Sequence, residues 1–288
     1  MNLTLLSTLV AVIDRGSFAA AAPEIGCTPS AVSLQMKQLE AWFGRPLFDR
    51  SARTVRPTPF ALEAASVARD VGSRVEALRT RSTITVSGRV RLGAIATVQS
   101  GALPQALRTL RDRHPALDVE VVLDDSDALL VALKAGRIDV AVLVRPSAGG
   151  STRLAWHDLA KQPFVLLTPP GVEATTPTEL LRRYTLIRYD TALTGGRIAA
   201  QYVRRVCPQA RFAMEVRSID AIVAMVAAGL GVSIVPQPRR ALLEAHGVRE
   251  VALGRSGPTR QIAAVRRRAD IDSRNLNALV AALASAYA

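Results

Sequence analysis

Side chains that can donate hydrogen bonds recur on one face of a segment near the start of the chain. Ser30, Ser33, Gln35 and Lys37 stand opposite apolar residues at helical spacing, and Gln38 lies at the edge of this face. Hydroxyl, amide and ammonium groups are the donors that DNA phosphates and major-groove base edges accept. We therefore predict that Ser30, Ser33 and Gln35 contact base edges or phosphates, and that Lys37 contacts a phosphate.

Two short helices joined by a tight turn would hold this face in place. Ser17 is a good N-cap for a helix over residues 18–25, and Gly26 stands where that helix would stop. Thr28 then caps a second helix that has Pro29 at its first position, where a missing N–H costs nothing. The start of the second helix meets the bases in this arrangement, so Ser17, Thr28 and Pro29 join the candidate DNA contacts.

Arginines follow the second helix at every third residue. Gly44 ends the helix, and Arg50, Arg53 and Arg56 lie in the loop beyond it. A two-stranded wing with three guanidinium groups would suit phosphate binding. For the two helices alone, an ordinary helical hairpin with a solvated face is an equal alternative, and the arginine-bearing wing favours DNA binding.

Short motifs in a fixed order give residues 1–65 a resemblance to a known domain. They are GSF at 16–18, AVS at 31–33, LE at 39–40 and FGRPLFDR at 43–50. With them the segment resembles the N-terminal winged helix-turn-helix domain of the LysR-type transcriptional regulators. The resemblance implies a DNA-binding domain over residues 1–58 and double-stranded DNA as a partner.

Composition sets the limits for the rest of the chain. Its 288 residues are 49% apolar, which suffices for the cores of two domains or three small ones. No basic leader precedes an apolar run and no apolar stretch is long enough to span a bilayer, so we expect a cytoplasmic protein without a membrane partner. Cys27 and Cys207 offer neither a disulfide framework nor metal-ligand spacing. We interpret both as ordinary thiols, with a redox switch as the alternative.

The formal net charge of +13 suits a nucleic-acid partner, but the charge is unevenly placed. Residues 1–58 hold six basic and four acidic side chains, whereas residues 182–288 hold seventeen and seven. Most of the excess therefore lies outside the predicted DNA reader. It indicates a solvated basic surface, with attraction of acidic effectors or nonspecific DNA binding as alternatives.

A linker helix and hinge are predicted over residues 59–88. Ala64, Ala68, Val71, Val75 and Leu78 alternate spacings of four and three, which is typical of a helix that pairs with another helix. A helix packed on its own domain is the alternative, because fewer than four heptads are present and Gly72 weakens the middle. Pairing would place two DNA readers on a two-fold symmetric site.

Beyond the hinge, β-branched runs alternate with helical patterns. We predict strands near residues 90–96, 118–123, 138–144, 163–169, 185–190, 212–216, 232–235 and 261–265. Helices are predicted near residues 103–113, 128–135, 197–206, 219–228 and 271–287. These successive βαβ units favour a mostly parallel sheet covered by helices. We expect two α/β lobes with a cleft between them, lobe I over about 89–161 and 267–288 and lobe II over about 162–266.

The second part of the chain also resembles a known domain. LPQALRTLRDRHP at 103–115, LKAGRIDVAV at 133–142 and MVAAGLGVSIVP at 225–236 resemble the LysR effector domain, which looks like a periplasmic solute-binding protein. The expected fold class is thus an α/β, two-lobed, periplasmic-binding-protein-like effector domain (89–288), preceded by an all-α winged helix-turn-helix domain and a long linker helix. The resemblance implies a small-molecule effector, a homodimer that pairs into a tetramer, and RNA polymerase as a candidate partner.

Ligands of open α/β sheets lie beyond the carboxyl ends of the strands, where helix N-termini present free N–H groups. The residues at those positions are Thr97, Val98, Gln99, Ser100, Asp125, Ser126, Tyr189, Thr191 and Ser218, with Arg197 as a candidate cation. Any one hydroxyl among them could equally be a simple helix cap, and Arg197 could face solvent. Arg197 suits an acidic effector and Asp125, between Asp124 and Asp127, suits an amine, so the charge of the effector stays open.

No pattern of catalytic residues stands out. His114, His157 and His246 are scattered, and no phosphate-binding loop, nucleophile elbow or metal-ligand cluster occurs. We therefore predict a transcriptional regulator controlled by a small molecule, with no cofactor, no metal and no enzymatic activity. The alternative is a cytoplasmic solute-binding protein that its N-terminal helices oligomerise, and such a protein would not need the arginine-bearing wing.

Overall fold

The computed structural model describes residues 3–49, 56–80, 86–147, 151–173 and 176–287. The chain divides into two compact units, residues 1–86 with 130–139 and residues 87–129 with 140–288. The boundary at residues 86 and 87 falls inside the predicted hinge, whose residues 82–85 lie outside the described part of the chain. No helix among the described residues is long and apolar enough to cross a membrane.

The first unit begins with four helices and a small two-stranded sheet. They are α1 (Leu3–Arg15), α2 (Phe18–Ala21), α3 (Pro29–Phe43), β1 (Phe48–Asp49), β2 (Arg56–Pro57) and α4 (Pro59–Thr80). β1 and β2 pair antiparallel, which agrees with a two-stranded wing. A shared apolar core joins the helices, and its fully buried members include Leu9, Val32, Met36, Leu39 and Leu47.

The helix α2 is shorter than predicted. Ser17 caps it as expected, since its Oγ accepts a hydrogen bond from Ala20 N at 3.1 Å. The helix nevertheless ends at Ala21 rather than near Ile25, because Pro23 has no N–H to donate to the preceding turn. The chain then turns through Gly26, whose φ of 65° favours glycine.

The predicted ends of α3 are confirmed. Thr28 is the N-cap, with its Oγ1 accepting from Ala31 N at 3.3 Å, and Pro29 is in the first turn. Gly44 ends the helix in the left-handed conformation with φ of 65°. The face with Val32, Met36 and Leu39 is buried, which turns the opposite face outward.

The face of α4 that was predicted to pair with another helix is only partly exposed. Ala64 and Ala68 are each 7% exposed and belong to the core of their own unit, so assigning them to a helix-pairing seam was wrong. Small alanines lie there because α4 packs closely on α1. Val67 and Val75 on the same helix are 57% and 44% exposed, and the Leu78 side chain lies outside the described residues.

The remaining elements alternate between strands and helices. In chain order they are β3 (Gly88–Ala94), α5 (Ala96–Gln99), α6 (Leu103–Arg113), β4 (Leu117–Leu123), α7 (Ser126–Lys134), β5 (Val140–Val144), β6 (Leu154–Thr168), α8 (Pro177–Arg183), β7 (Leu186–Tyr189), α9 (Thr194–Val206), β8 (Phe212–Val216), α10 (Ile219–Ala227), β9 (Ser233–Pro236), α11 (Arg240–His246), β10 (Arg249–Ala252), β11 (Thr259–Arg267), a 3-10 turn (Arg268–Asp270) and α12 (Arg274–Tyr287).

Seven of these strands form one mixed sheet in the order β10-β6-β11-β5-β3-β4, with β9 also paired to β6. β3 runs parallel to β4 and β5, as predicted, and β7 pairs parallel with β8. β11 is antiparallel to both β5 and β6, so the prediction of a mostly parallel sheet was wrong. The physical reason is that β6 leaves the first lobe and β11 returns to it beside β6, which forces opposite directions.

These two long strands define the lobes. β6 pairs with β11 up to Pro163 and with β9 and β10 from Phe164 to Thr168, so the first crossing lies close to the predicted one. β11 pairs with β5 over residues 262–266, which assigns those residues to the first lobe. The predicted boundary at 266 and 267 is therefore too late, and the crossing lies near residues 259–261.

Candidate DNA interface and effector cavity

The outward face of α3 carries most of the predicted DNA contacts. Ser30 and Lys37 are exposed, and Ser33 and Gln35 are half-buried. Thr28 and Pro29 are exposed at the start of the helix, where the Thr28 hydroxyl lies 3.0 Å from that of Ser30. Apart from Ser17, which caps α2, the predicted residues of these two helices thus lie on α3 or directly before it.

Gln35 is tied to α1. Thr8 Oγ1 is 2.6 Å from Gln35 Oε1 and 2.9 Å from the Thr4 carbonyl oxygen. The single hydroxyl proton of Thr8 cannot be donated to both oxygens. If the Gln35 amide is turned so that its NH2 group donates to Thr8 Oγ1, the Thr8 proton remains for the Thr4 carbonyl oxygen. Thr8 is fully buried on α1. The hydrogen bond therefore fixes the end of the Gln35 side chain against α1.

The wing is anchored to α3 by a carboxylate. Glu40 Oε1 accepts from Leu47 N at 2.9 Å and from Phe48 N at 3.2 Å. Phe48 also meets Phe18 edge to face, with ring centroids 5.3 Å apart. Arg56 is exposed on β2, whereas the predicted contacts Arg50 and Arg53 lie outside the described residues.

One exposed side chain of α3 was absent from the sequence-based list. Leu34 is 58% exposed and lies between Ser30 and Lys37 on the outward face. The predicted DNA contacts on this helix were polar side chains, so they did not include an apolar leucine. Its position four residues after Ser30 was the signal that could have found it.

A cavity of about 960 Å³ lies between the two lobes of the effector domain. Its walls come from the residues that follow β3, β4, β7, β8 and β9, together with parts of β6 and β11 and the end of α12. The carboxyl ends of parallel strands therefore face it, as the general rule for open α/β sheets requires.

Six of the ten predicted effector contacts line this cavity. They are Thr97, Ser100, Asp125, Ser126, Tyr189 and Ser218. Some of their polar groups are already engaged: Ser126 Oγ accepts from Val144 N at 3.2 Å, and Ser218 Oγ caps α10 by accepting from Ala221 N at 3.3 Å. The Ser126 hydroxyl proton can still be donated into the cavity.

The other four predicted contacts lie elsewhere. Val98 is 1% exposed inside the fold, and Gln99 donates to the Ala94 carbonyl oxygen at 3.3 Å, because the short helix α5 turns both away from the cavity. Thr191 binds Glu215 through its N–H and hydroxyl, each at 2.7 Å. Arg197 lines a neighbouring cavity of about 630 Å³.

Ion pairs account for the two charge signals that conflicted in the sequence. Arg197 donates to Asp127 at 3.1 Å, and Arg217 donates to Asp125 at 3.3 Å. Each pair joins α7 at its start to the second lobe. Neither Arg197 nor Asp125 is therefore an unpaired charge offered to a ligand.

Sequence reasoning missed Arg260, a residue of β11 that lines both cavities and is only 3% exposed. Its Nε donates to Gln162 Oε1 at 3.0 Å and its Nη2 to Thr97 Oγ1 at 2.8 Å. Burial lowers the pKa of Arg260, an effect that Tyr189 and Tyr287 oppose. Burial also raises the pKa of Tyr189, and the nearby positive charge of Arg260 opposes this rise. An arginine inside a β-branched strand carries no local sequence signal for such a role.

Within the described part of the chain, no group of three or more histidine, cysteine, aspartate or glutamate residues is placed to hold a metal ion. The donors that face the cavity are instead hydroxyls, amides and guanidinium groups, which suit recognition of an organic molecule.

A helix-turn-helix reader followed by a two-lobed α/β domain with an interlobe cavity defines a ligand-responsive DNA-binding regulator. The model of the bacterial regulatory helix-turn-helix protein, lysR family, matches residues 3–62, and that of the LysR substrate binding domain matches residues 85–288. The chain belongs to the LysR family and is a LysR-type transcriptional regulator with an effector-binding domain.

Relatives and solved structures agree with this assignment. A probable hydrogen peroxide-inducible genes activator of Mycobacterium avium is 30% identical, over 88% of this chain and 84% of that protein. CbbR of Xanthobacter flavus is 29% identical, over 83% of this chain and 72% of that protein. A full-length OxyR variant from Pseudomonas aeruginosa superposes with a TM-score of 0.80 at 22% identity, covering 98% of this chain and 94% of that one. Full-length LysG from Corynebacterium glutamicum with bound effector Arg gives 0.69 at 21% identity, covering 100% and 98%.

Proposed function

We propose that the small molecule that controls this regulator binds in the 960 Å³ cavity and changes how far the two lobes close. The observation that carries the proposal is that six independently predicted polar positions, from both lobes, meet around this one cavity. A ligand that contacts both lobes binds their closed arrangement more tightly and so shifts the population toward it. The change in closure would alter how the DNA readers of an oligomer are spaced.

A pair of matched substitutions tests the site. Gln105 is exposed and lines the main cavity, whereas Gln201 is exposed and lines the neighbouring one. A library of small metabolites is screened for compounds that raise the melting temperature of the full-length protein. We expect Gln105→Trp to abolish the shift given by a hit and Gln201→Trp to preserve it; the reverse pattern would move the effector to the other cavity.

We also propose that α3 reads DNA and that the wing binds phosphate. The support is the exposure of Ser30, Lys37 and Arg56 on elements held together by Glu40. Each phosphate contact contributes about 0.9 to the slope of log K against log salt. Arg56→Ala should therefore weaken binding to every duplex and flatten that slope by about 1, as should Arg50→Ala and Arg53→Ala.

Arg113→Ala is the matched control for these variants, since Arg113 is an exposed arginine of α6 in the effector domain. Its salt slope should equal that of the wild type. Equal slopes for Arg113→Ala and all three wing variants would remove the wing from the mechanism. Ser33→Ala should instead reduce binding mainly to the specific site.

The proposal extends to assembly and location. Exposed Val67 and Val75 on α4 support pairing of two linker helices into a homodimer. Two such dimers would form a tetramer, with RNA polymerase as a further partner at the promoter. Such a regulator acts where the chromosome is, which places it in the cytoplasm.

Several relatives are named as probable peroxide-inducible gene activators, which raises thiol oxidation as a second means of control. A disulfide switch within the effector domain needs two cysteines there, and residues 87–288 contain one, Cys207. Cys207 is 1% exposed in an apolar cluster, where a thiol is inert. These features support control by a bound molecule; duplex binding that changes with peroxide, and is restored by a thiol reductant, would contradict it.

A further inference from the structure

We propose that the effector carries a carboxylate and that Arg260 binds it. The inference rests on the proposed function, because it assigns a chemical class to the ligand of the same cavity. It also makes Arg260, rather than the exposed charges suggested by the sequence, the residue that selects the ligand.

Arg260 carries a buried positive charge that has no negative side chain beside it among the described residues. Arg260 is 3% exposed, and its hydrogen-bond partners Gln162 and Thr97 are both neutral, as is the neighbouring Tyr189. Among the residues that the structure describes, no carboxylate forms an ion pair with Arg260. An arginine stays protonated in proteins, and removing its charge from water is costly unless an anion compensates it. A carboxylate from the ligand would supply that compensation.

The N-terminal end of helix α9 lies beside the Arg260 guanidinium. Leu193 occupies the N-cap position of the 13-residue helix and offers no side-chain cap, and Leu193, Thr194 and Gly195 line the cavity. Within the described residues, no acceptor meets the N–H groups of Thr194 and Gly195. Such N–H groups and the helix dipole favour a negative charge. A side chain at position 195 would approach Tyr189 to 2.8 Å and Arg260 to 3.3 Å, so glycine keeps this space open.

The other charged side chains that line the cavity are either paired with each other or exposed. Three acidic side chains line it: Asp125 is paired with Arg217, Asp124 accepts from Asp125 N at 2.8 Å, and Asp220 is exposed. The other basic residues of the lining are Lys161 and Arg239, and both are exposed. Only Arg260 combines burial with a missing counter-charge. One buried guanidinium matches the single charge of a carboxylate better than the double charge of a phosphate ester.

The position of Arg260 also connects ligand binding to lobe closure. Thr97 belongs to the first lobe and Tyr189 to the second, while Gln162 lies where β6 crosses between them and also donates to the Gln237 carbonyl oxygen at 2.8 Å. A carboxylate on Arg260 would therefore bind at the point where the two lobes and a crossing strand meet.

The test compares carboxylates with their primary amides, which have nearly the same shape without the charge. Benzoate and benzamide, phenylacetate and phenylacetamide, and hexanoate and hexanamide are titrated into the full-length protein, with inorganic phosphate and the corresponding amines as further probes. We expect at least one acid to bind roughly tenfold or more tightly than its amide, as charge-assisted hydrogen bonds exceed neutral ones. Arg260→Gln, which removes the charge, should abolish this preference, and Arg205→Gln, outside the cavity, should keep it.

Each outcome decides a different point. Equal affinity for acid and amide, a preference for amines or phosphate, or no carboxylate binding at millimolar concentration would overturn the inference. Loss of the acid preference in Arg217→Gln, with retention in Arg260→Gln, would place the carboxylate on Arg217 and overturn the inference too. Acid binding that Gln105→Trp leaves unchanged would instead contradict the proposed cavity. If Arg260→Gln lacks a cooperative melting transition, Arg260→Lys replaces it, and the loss of the planar guanidinium should then weaken acid binding without abolishing it, while Arg205→Lys leaves acid binding unchanged.

Discussion

Leu34 shows how a single side chain could set base preference. It is 58% exposed on the outward face of α3, between Ser30 and Lys37. An apolar side chain in a major groove suits the methyl group of thymine, which hydrogen-bond donors cannot recognise. Leu34 is thus a candidate for specificity that a list of polar residues omits.

Leu34→Ala should weaken binding to the specific site by about 1 kcal/mol, within the usual cost of one mismatched base pair. The measurement is a cycle in which each thymine of the bound site is replaced by uracil, which lacks the methyl group. One such replacement should weaken the wild type and leave Leu34→Ala unaffected. Leu62→Ala, at a leucine of α4 that is 50% exposed, is the control; additive losses at every thymine would refute the contact.

Glu215 provides a pH-dependent contact at the same scale. Hydrogen bonds from Arg188 and then from Thr191 lower its pKa to about 2. A carboxylate with a lowered pKa stabilises the fold above its unfolded pKa of roughly 4.3, and this contribution is lost as the pH falls toward the folded value. Because the N–H and hydroxyl of Thr191 both donate to Glu215, Thr191 is engaged there and not in the effector cavity.

Glu215→Gln should therefore be less stable than the wild type at neutral pH, by an amount that shrinks between about pH 4.5 and pH 2. Urea unfolding at several pH values measures the difference. Glu63→Gln, at an exposed residue of α4, is the control. A gap between Glu215→Gln and wild type that stays constant down to pH 2 would show that the carboxylate charge contributes nothing.

At the scale of elements, the orientation of the wing on α3 depends on Glu40. Its carboxylate serves two N–H groups of residues that are themselves buried, Leu47 and Phe48. Removing the acceptor leaves both donors without a partner, which typically costs about 1–3 kcal/mol each.

Glu40→Ala should lower the free energy of unfolding by roughly 2–6 kcal/mol, the sum for two donors, and weaken duplex binding, because the wing loses its fixed position. Glu40→Gln keeps an acceptor oxygen and should lose less of both. Denaturant unfolding and duplex titration check the two effects, with Glu63→Ala on the exposed side of α4 as the control. Wild-type behaviour of Glu40→Ala would show that the wing is held by packing alone.

The exposed face of α4 gives a further prediction at this scale. Val67 lies on the side of the helix that remains available for a partner, whereas Leu62 is exposed on a different side. Val67→Glu should raise the dimer dissociation constant by roughly tenfold or more, about 1.4 kcal/mol, because the two copies would place like charges in the helix seam. Sedimentation over a concentration series measures it, and a larger effect of Leu62→Glu would move the interface.

Helix ends and strand positions were largely predictable, because capping residues and apolar periodicity act locally. The bounds of α6 and β8 and the start of α3 follow the predictions, whereas α2 is cut short by Pro23. The first half of β6 and the helices α5, α8 and α11 went unpredicted, since their patterns are short or interrupted by charge. The antiparallel direction of β11 depends on pairing with strands about a hundred residues away, which local patterns do not encode.

The residues of the candidate cavity fall into the same two groups, those that local sequence predicts and those that depend on distant contacts. Residues next to strand ends, such as Thr97, Ser126 and Tyr189, could be placed from topology alone. Arg260 could not, because its role depends on Gln162 and Thr97, which reach it from 98 and 163 residues away. Likewise, only the fold shows that Arg197 and Asp127 neutralise each other.

At the scale of the whole molecule, the chain combines a DNA-binding domain with an effector domain that has a cavity between two lobes. We propose that the outward face of α3 selects particular DNA sequences and that two copies of the chain read one site together. A symmetric pair of readers requires two half-sites with a fixed spacing.

The most direct measurement is recovery of sheared DNA from the protein's own source by the purified chain at physiological salt, followed by sequencing. We expect enrichment of one or a few intergenic fragments that contain an inverted repeat, and weaker enrichment in Ser30→Ala and Leu34→Ala but not in Arg113→Ala. Uniform recovery of all fragments, or recovery of none, would contradict sequence-specific reading and leave only the nonspecific attraction of a basic protein.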